Sequence, residues 1–232
     1  MDNFDKEKQY KYAKLLLQEH FIKLFLTFIF IIIFILVIIR FNTNKPYEEV
    51  ITLRNPSQPI QTPSSDAISL PFMGTYVTIE YLYEYDLYGR VVNTFNYVGY
   101  NMENQISPKD ITVSWGSLAN EENNSQLDFY VPKPRFVSWR SSNQAWTKSM
   151  GNMINNQFSN NHLVPANNEI KKLINLIKED DYIHIKGYLV HIKYTERNLY
   201  YSWKSSISRY DNGPGACETI LVTDIKWLKE KP

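Results

Sequence analysis

Hydrophobic and polar positions divide the chain into a long apolar run, a Pro-rich stretch and a region of short alternations. The run Phe21 to Ile39 is nineteen residues interrupted only by Lys23 and Thr27, and Arg40 closes it. At about 1.5 Å per residue such a helix covers roughly the 30 Å of a hydrocarbon core. A cleaved signal would carry an apolar core of about 7–15 residues and a small-x-small site, whereas Phe41-Asn-Thr-Asn44 follows here. The pattern predicts a retained membrane helix over residues 21–40 that continues inward into a helical cytoplasmic tail, residues 1–20. Lys6, Lys8, Lys11, Lys14 and Lys23 outnumber Arg40, Lys45 and Arg54, which puts the tail inside and the remainder outside the cytoplasm.

Residues 41–70 lack long apolar runs and carry Pro46, Pro56, Pro59 and Pro63, the composition of an extended tether in which only Val50 to Leu53 reads as a short strand. A β-rich exported domain is expected over residues 71–232. Val77, Ile79, Tyr81, Tyr83 and Tyr85 alternate with polar positions, a half-buried strand, and Gly89 separates it from a second β-rich run, Arg90 to Tyr100. Ser107-Pro-Lys-Asp110 reads as a helix start. Ala119 to Gln126 reads as a surface loop, and Pro132 and Pro134 confine Leu127 to Trp139 to an edge or broken strand. Asn167 or Asn168 caps a helix whose apolar face is Ile170, Leu173, Ile174 and Ile177, ended by Glu179-Asp-Asp181. In the strand that follows, Ile183 and Ile185 are apolar at odd positions but Tyr188, Val190, Ile192 and Tyr194 at even ones. That slip predicts one extra residue, a bulge, near Gly187. With strands at Tyr200 to Ile207 and Thr219 to Trp227, the expected class is α+β, mainly β. The C-terminal third is expected to form an OB-like small barrel or curved sheet.

Charge narrows the partners. Beyond residue 40 there are 19 Lys plus Arg against 20 Asp plus Glu, so no basic face suited to nucleic acid is expected. The lipid bilayer is the first partner implied, and an envelope protein the second. One cysteine, Cys217, rules out an intramolecular disulfide.

Several segments form an ordered set: Tyr83 to Val92, Ile106-Ser-Pro-Lys-Asp-Ile111 with Trp115-Gly116, and Arg135-Phe-Val-Ser-Trp-Arg140. Next comes Ser159-Asn-Asn-His-Leu-Val-Pro-Ala-Asn167, similar to a Ser-x-Asn-x-His-Leu-Ile-Pro-Ala-Asn motif. Lys186-Gly-Tyr-Leu-Val190, Trp203 to Arg209, Asp211 and Gly213-Pro-Gly-Ala-Cys-Glu218 complete the set. Together they resemble a family of uncharacterised bacterial membrane-anchored proteins. Asn161 stands where Met is usual, and Ser114 where Gly is. The resemblance implies bacterial envelope placement and one domain over most of residues 81–227, and it implies no mechanism.

The sharpest chemistry joins Cys217 with His162, assisted by Arg209 or Asp211, because a thiolate nucleophile needs a base or positive charge beside it. Glu218 opposes this. His162, His184 and His191 lack the close pairing of zinc ligands, so no metal is expected, nor any cofactor. Asp211-Asn-Gly-Pro-Gly215 reads as a turn with Gly at positive φ in preference to a phosphate cradle. The 34 aromatic residues (17 Tyr, 12 Phe, 5 Trp) invite a glycan-binding reading, but strands favour the same residues for packing. The expected function is a membrane-anchored periplasmic binding or scaffold protein. Its contact surface would lie at two polar loops, Asn160, Asn161 and His162 in one and Arg209 and Asp211 in the other. The alternatives are a thiol-dependent envelope enzyme and a glycan-binding module.

Overall fold

The computed structural model describes residues 3–41, 45–49, 60–61, 67–72, 74–208, 210–211 and 213–229. Two compact units result, residues 1–44 and 45–232. The first is helix α1 (Asn3–Phe41), within which Leu17–Ile35 is long and apolar enough to cross a membrane. Thr27 fits that apolar run because its hydroxyl donates to the Lys23 carbonyl at 2.8 Å. The helix predicted to precede the apolar run is present from Asn3 onward.

The second unit is mainly β. Its first strands are β1 (Tyr47–Glu49), β2 (Ile60–Gln61), β3 (Ala67–Phe72) and β4 (Thr75–Asn96). Helix α2 (Met102–Ile106) leads to β5 (Lys109–Ser114), and α3 (Glu121–Asn124) precedes the hairpin β6 (Asp128–Lys133) and β7 (Phe136–Arg140). After α4 (Gln144–Met150) and α5 (Met153–Asn156) come β8 (Phe158–Pro165), α6 (Asn168–Leu176), β9 (Tyr182–Glu196), β10 (Leu199–Lys204) and β11 (Glu218–Lys229).

Five strands close on themselves. β4 pairs with β5, β5 with β8 and β9 with both β4 and β11, all antiparallel, whereas β8 and β11 run parallel. Leu87, Val91, Ile111, Leu163, Ile185 and Ile220 fill the enclosed side, and α6 adds Ile170 and Ile174 to the same core. The α6 start was legible: Asn167 Oδ1 accepts from the amides of Glu169 and Ile170 at 3.0 and 2.9 Å. Curvature therefore involves residues 75–229, more of the chain than the C-terminal third.

A second apolar cluster lies on the other face of the long strands: Val77, Ile79, Val190, Ile192 and Leu221, with Met102 and Ile106 of α2. It explains the phase slip differently from the expected bulge in β9. On β9, Ile183, Ile185 and Leu189 face the main core, whereas Val190, Ile192 and Tyr194 face the second cluster. The strand itself is regular, and both of its faces are covered. The extra residues stand on its partners. Tyr81 and Tyr83 oppose Val190 and Leu189, leaving Leu82 unmatched, and Val222 and Asp224 oppose Gly187 and Lys186, leaving Thr223 unmatched. A one-residue slip exchanges faces, which is how Val77 and Leu87, both odd, reach different clusters. Gly187 is required where the strands approach: a Cβ there would sit 2.1 Å from the Leu221 carbonyl oxygen.

Four further expectations change. The strand before Gly89 and the run after it are one strand, β4. Ser107-Pro108 ends α2 and opens a strand, since all six residues of β5 are buried between β4 and β8 and pairing outweighs the local capping pattern. The N-cap belongs to Asn101, whose Oδ1 accepts from Asn104 N at 2.9 Å. The expected loop at 119–126 contains α3. The predicted tether is partly built into the sheet, β1 alongside Trp227–Lys229 and β3 alongside β4, and Lys45 reaches Asp181 at 3.0 Å. Val50 to Leu53 lies outside the described residues.

Candidate functional site

Strand register assembles the site. Asp110 on β5 stands directly opposite His162 on β8, and His162 is matched on its other side by Thr219 of β11. Cys217 immediately precedes β11. Directly opposed residues share a face, so residues distant in sequence converge: His162 Nδ1 lies 2.9 Å from Asp110 Oδ1. Both side chains are buried.

Asp110 is held from two further directions. Arg135 Nη1 donates to its Oδ1 at 2.7 Å, and the Tyr97 hydroxyl donates to its Oδ2 at 2.8 Å. Arg135 sits in the β6–β7 turn at φ 65°, and its amide donates to the Tyr97 oxygen at 2.7 Å. Its guanidinium lies 3.6 Å above the Tyr97 ring and donates to the Ser107 carbonyl at 2.8 Å, with Glu103 Oε1 3.2 Å from Nε. A planar fork that bonds and stacks at once is a role Lys could not fill. Burial and the neighbouring Asp110 charge push the Tyr97 phenol pKa upward, so it stays a neutral donor.

Cys217 is partly exposed. Asn160 Nδ2 donates weakly to its sulfur at 3.6 Å, and the thiol points to the Arg135 carbonyl at 3.8 Å. Asn160 and His162 point to the same face of β8, so the sulfur that Asn160 meets lies on the imidazole's side of the sheet. Burial alone would push the imidazole pKa down, but the Asp110 carboxylate and Cys217 outweigh it and hold the pKa up at about 9. The result is an imidazolium between a fixed carboxylate and a sulfur. In front of the sulfur opens a cleft of ≈ 90 Å³ bounded by Phe136, Val137, Asn155, Phe158 and the loop carrying Ser208, Asp211 and Gly213. Gly213 and Gly215 have φ of 82° and 90°, the turn geometry expected of that loop.

The structure thus joins Cys217 with His162 but supplies different helpers. Asp211 is exposed, lines the cleft and accepts from Ser206 Oγ at 2.7 Å, and Arg209 lies outside the described residues. Asn160, Asn161 and His162 form no polar loop. They are buried in β8 because that strand pairs on both edges, so Asn161 and His162 cannot present a contact surface. Asp110, Arg135 and Tyr97 were not singled out as site residues. The signal that held the first two was the Ser-Pro-x-Asp and Arg135-Phe-Val segments, which carried the resemblance. Elsewhere, His184 Nε2 lies 2.8 Å from Asp86, and His191 sits between Glu80 and Ser202. Among the described residues no group of three His, Cys, Asp or Glu could hold a metal ion.

No protein-family model, no curated protein and no solved structure matches the chain.

Proposed function

We propose that the folded unit is a thiol-dependent acyl-transfer enzyme, with Cys217 as nucleophile, His162 as its proton partner and Asp110 as the group that orients and charges the imidazole. The observation that carries the reading is His162, 2.9 Å from Asp110, on the face of β8 whose Asn160 meets the Cys217 sulfur at the mouth of a cleft. An imidazolium beside sulfur stabilises the thiolate, the reactive form. Arg135 and Tyr97 act as positioning residues by fixing Asp110. Thr112 Oγ1 donates to Asn160 Oδ1 at 3.4 Å, which aims the Asn160 amide nitrogen at the sulfur, where it is placed to stabilise a developing oxyanion.

The ring order, with α6 between the third and fourth strands of the closure, supports an OB-type barrel. The apolar helix and the Lys excess before it support a bacterial inner-membrane anchor with the tail cytoplasmic and the enzyme periplasmic.

The test is iodoacetamide labelling of Cys217 at pH 7 in the full chain in detergent, alongside His162→Ala and Asp110→Asn. Fast native labelling that falls at least tenfold in both variants, with folding verified by circular dichroism, is the expected result. A thiol inert until denaturant is added would sink the proposal. The molecule would then return to the binding or scaffold class, for which exposed Leu199, Tyr200 and Tyr201 on β10 offer the surface.

A further inference from the structure

One wall of the cleft beside Cys217 is the beginning of β7, where Phe136 and Val137 line it. Among the described residues β7 pairs with β6 alone, so its second edge has no strand partner. That strand starts at the sulfur, since the thiol points to the carbonyl of Arg135, the residue just before β7. The hairpin is braced from several sides. The Arg135 guanidinium is fixed as described, Trp139 Nε1 donates to Asn155 Oδ1 at 3.2 Å, and the Phe129 ring meets Phe158 edge-on at 5.1 Å. A rigid strand with a free edge therefore leads to a nucleophile.

We infer that the substrate is an extended peptide, which adds to the second edge of β7 as a further strand and lays its acyl carbonyl over Cys217. The inference rests on the thiol-enzyme reading. An unpaired strand edge is a template for a strand of another chain, giving affinity through main-chain bonds and selectivity through alternate side chains. At about 3.3 Å per residue, β7 offers length for roughly four or five peptide residues. Every second substrate side chain then faces the apolar wall of Phe136, Val137 and Phe158. In the reaction the thiolate sulfur bonds to the carbonyl carbon, and the peptide C–N bond breaks. The amine departs with the proton held by His162. Water or a second amine then attacks the thioester carbon, the S–C bond breaks and the thiol is restored.

The experiment uses the full chain in detergent with iodoacetamide, N-acetyl-tetra-alanyl chloromethyl ketone and four versions of that ketone, each N-methylated at one residue. Labelling of Cys217 is followed by mass, and each rate is divided by that of the same reagent with glutathione. Strand addition predicts that the parent ketone exceeds iodoacetamide at least tenfold on this scale. N-methylation at alternate residues should cost tenfold or more, and at the intervening ones less than twofold, because only every second amide of a strand faces its partner. A parent ketone with no advantage, or methylation without alternation, overturns the peptide inference. If iodoacetamide still labels quickly and His162→Ala abolishes that, the thiol reading survives such a result. Inertness to every reagent removes both.

Discussion

His162 and His191 belong to the same sheet, and each lies between a carboxylate and a side chain able to act as a nucleophile. His191 Nδ1 is 3.1 Å from Glu80 Oε2, and its Nε2 is 2.7 Å from Ser202 Oγ. His162 Nδ1 is 2.9 Å from Asp110. On distances alone the exposed set is as good a relay as the buried one. The surroundings differ. The His162 and Asp110 side chains are 5 % and 4 % exposed, against 18 % and 35 % for His191 and Glu80. Asp110 is fixed by Arg135 and Tyr97, and its imidazole faces a sulfur at a cleft. Glu80 is bonded to Lys193, which with the His191 charge draws its pKa below the ordinary carboxylate value. Its partners His191 and Lys193 are themselves partly exposed. Charge is worth more where water is excluded, so burial and dedicated partners separate a candidate site from a cross-strand polar ladder.

The largest expected effect tests that contrast directly. Asp110→Asn removes the charge shared by Arg135 and His162, leaving buried His162 without a counter-charge and Arg135 with Glu103 alone, a loss of about 3–5 kcal/mol in urea unfolding. The matching change Glu80→Gln breaks a solvent-screened pair and should cost less than about 1 kcal/mol. Equal losses at the two positions would erase the distinction.

The next effect is pH dependence. The folded His162 pKa of about 9 stands above the ordinary value of 6.5. The imidazolium thus contributes roughly 3 kcal/mol of stability that is fully present below about pH 6.5 and lost as pH rises through about 9. Urea unfolding between pH 6 and 10 measures it. In Cys217→Ala one of the groups that raise the pKa is gone, so the loss should begin at lower pH. An unchanged profile would mean that sulfur and imidazole are not coupled. The smallest effect is Ser202→Ala, expected to leave both iodoacetamide labelling of Cys217 and stability within error. Any fall in labelling would show that the exposed set communicates with the thiol.

Much of this was legible in local pattern. The membrane-length helix, the Asn167 cap with its apolar face and the broken strand at Pro132 and Pro134 follow from residue type and spacing. Asp110 was hidden by a local rule that held elsewhere: after Ser107-Pro108 it reads as the third residue of a helix. Only the pairing of β5 between β4 and β8 makes it a strand residue opposite His162. Arg135 was hidden too, because a residue in a Pro-flanked turn gives no sign of which buried carboxylate it will reach.

The sequence by itself determined the long apolar helix, the β-rich character of the remainder and the residue types able to support thiol chemistry, since these depend on composition and on periodicities of a few residues. Tertiary structure decided which carboxylate meets His162, which face each half of β4 and β9 presents, and that Asn160 to His162 lie inside. Those outcomes depend on strand register, and register is set by unmatched residues such as Leu82 and Thr223 and by close approaches such as Gly187, whose partners lie elsewhere in the chain.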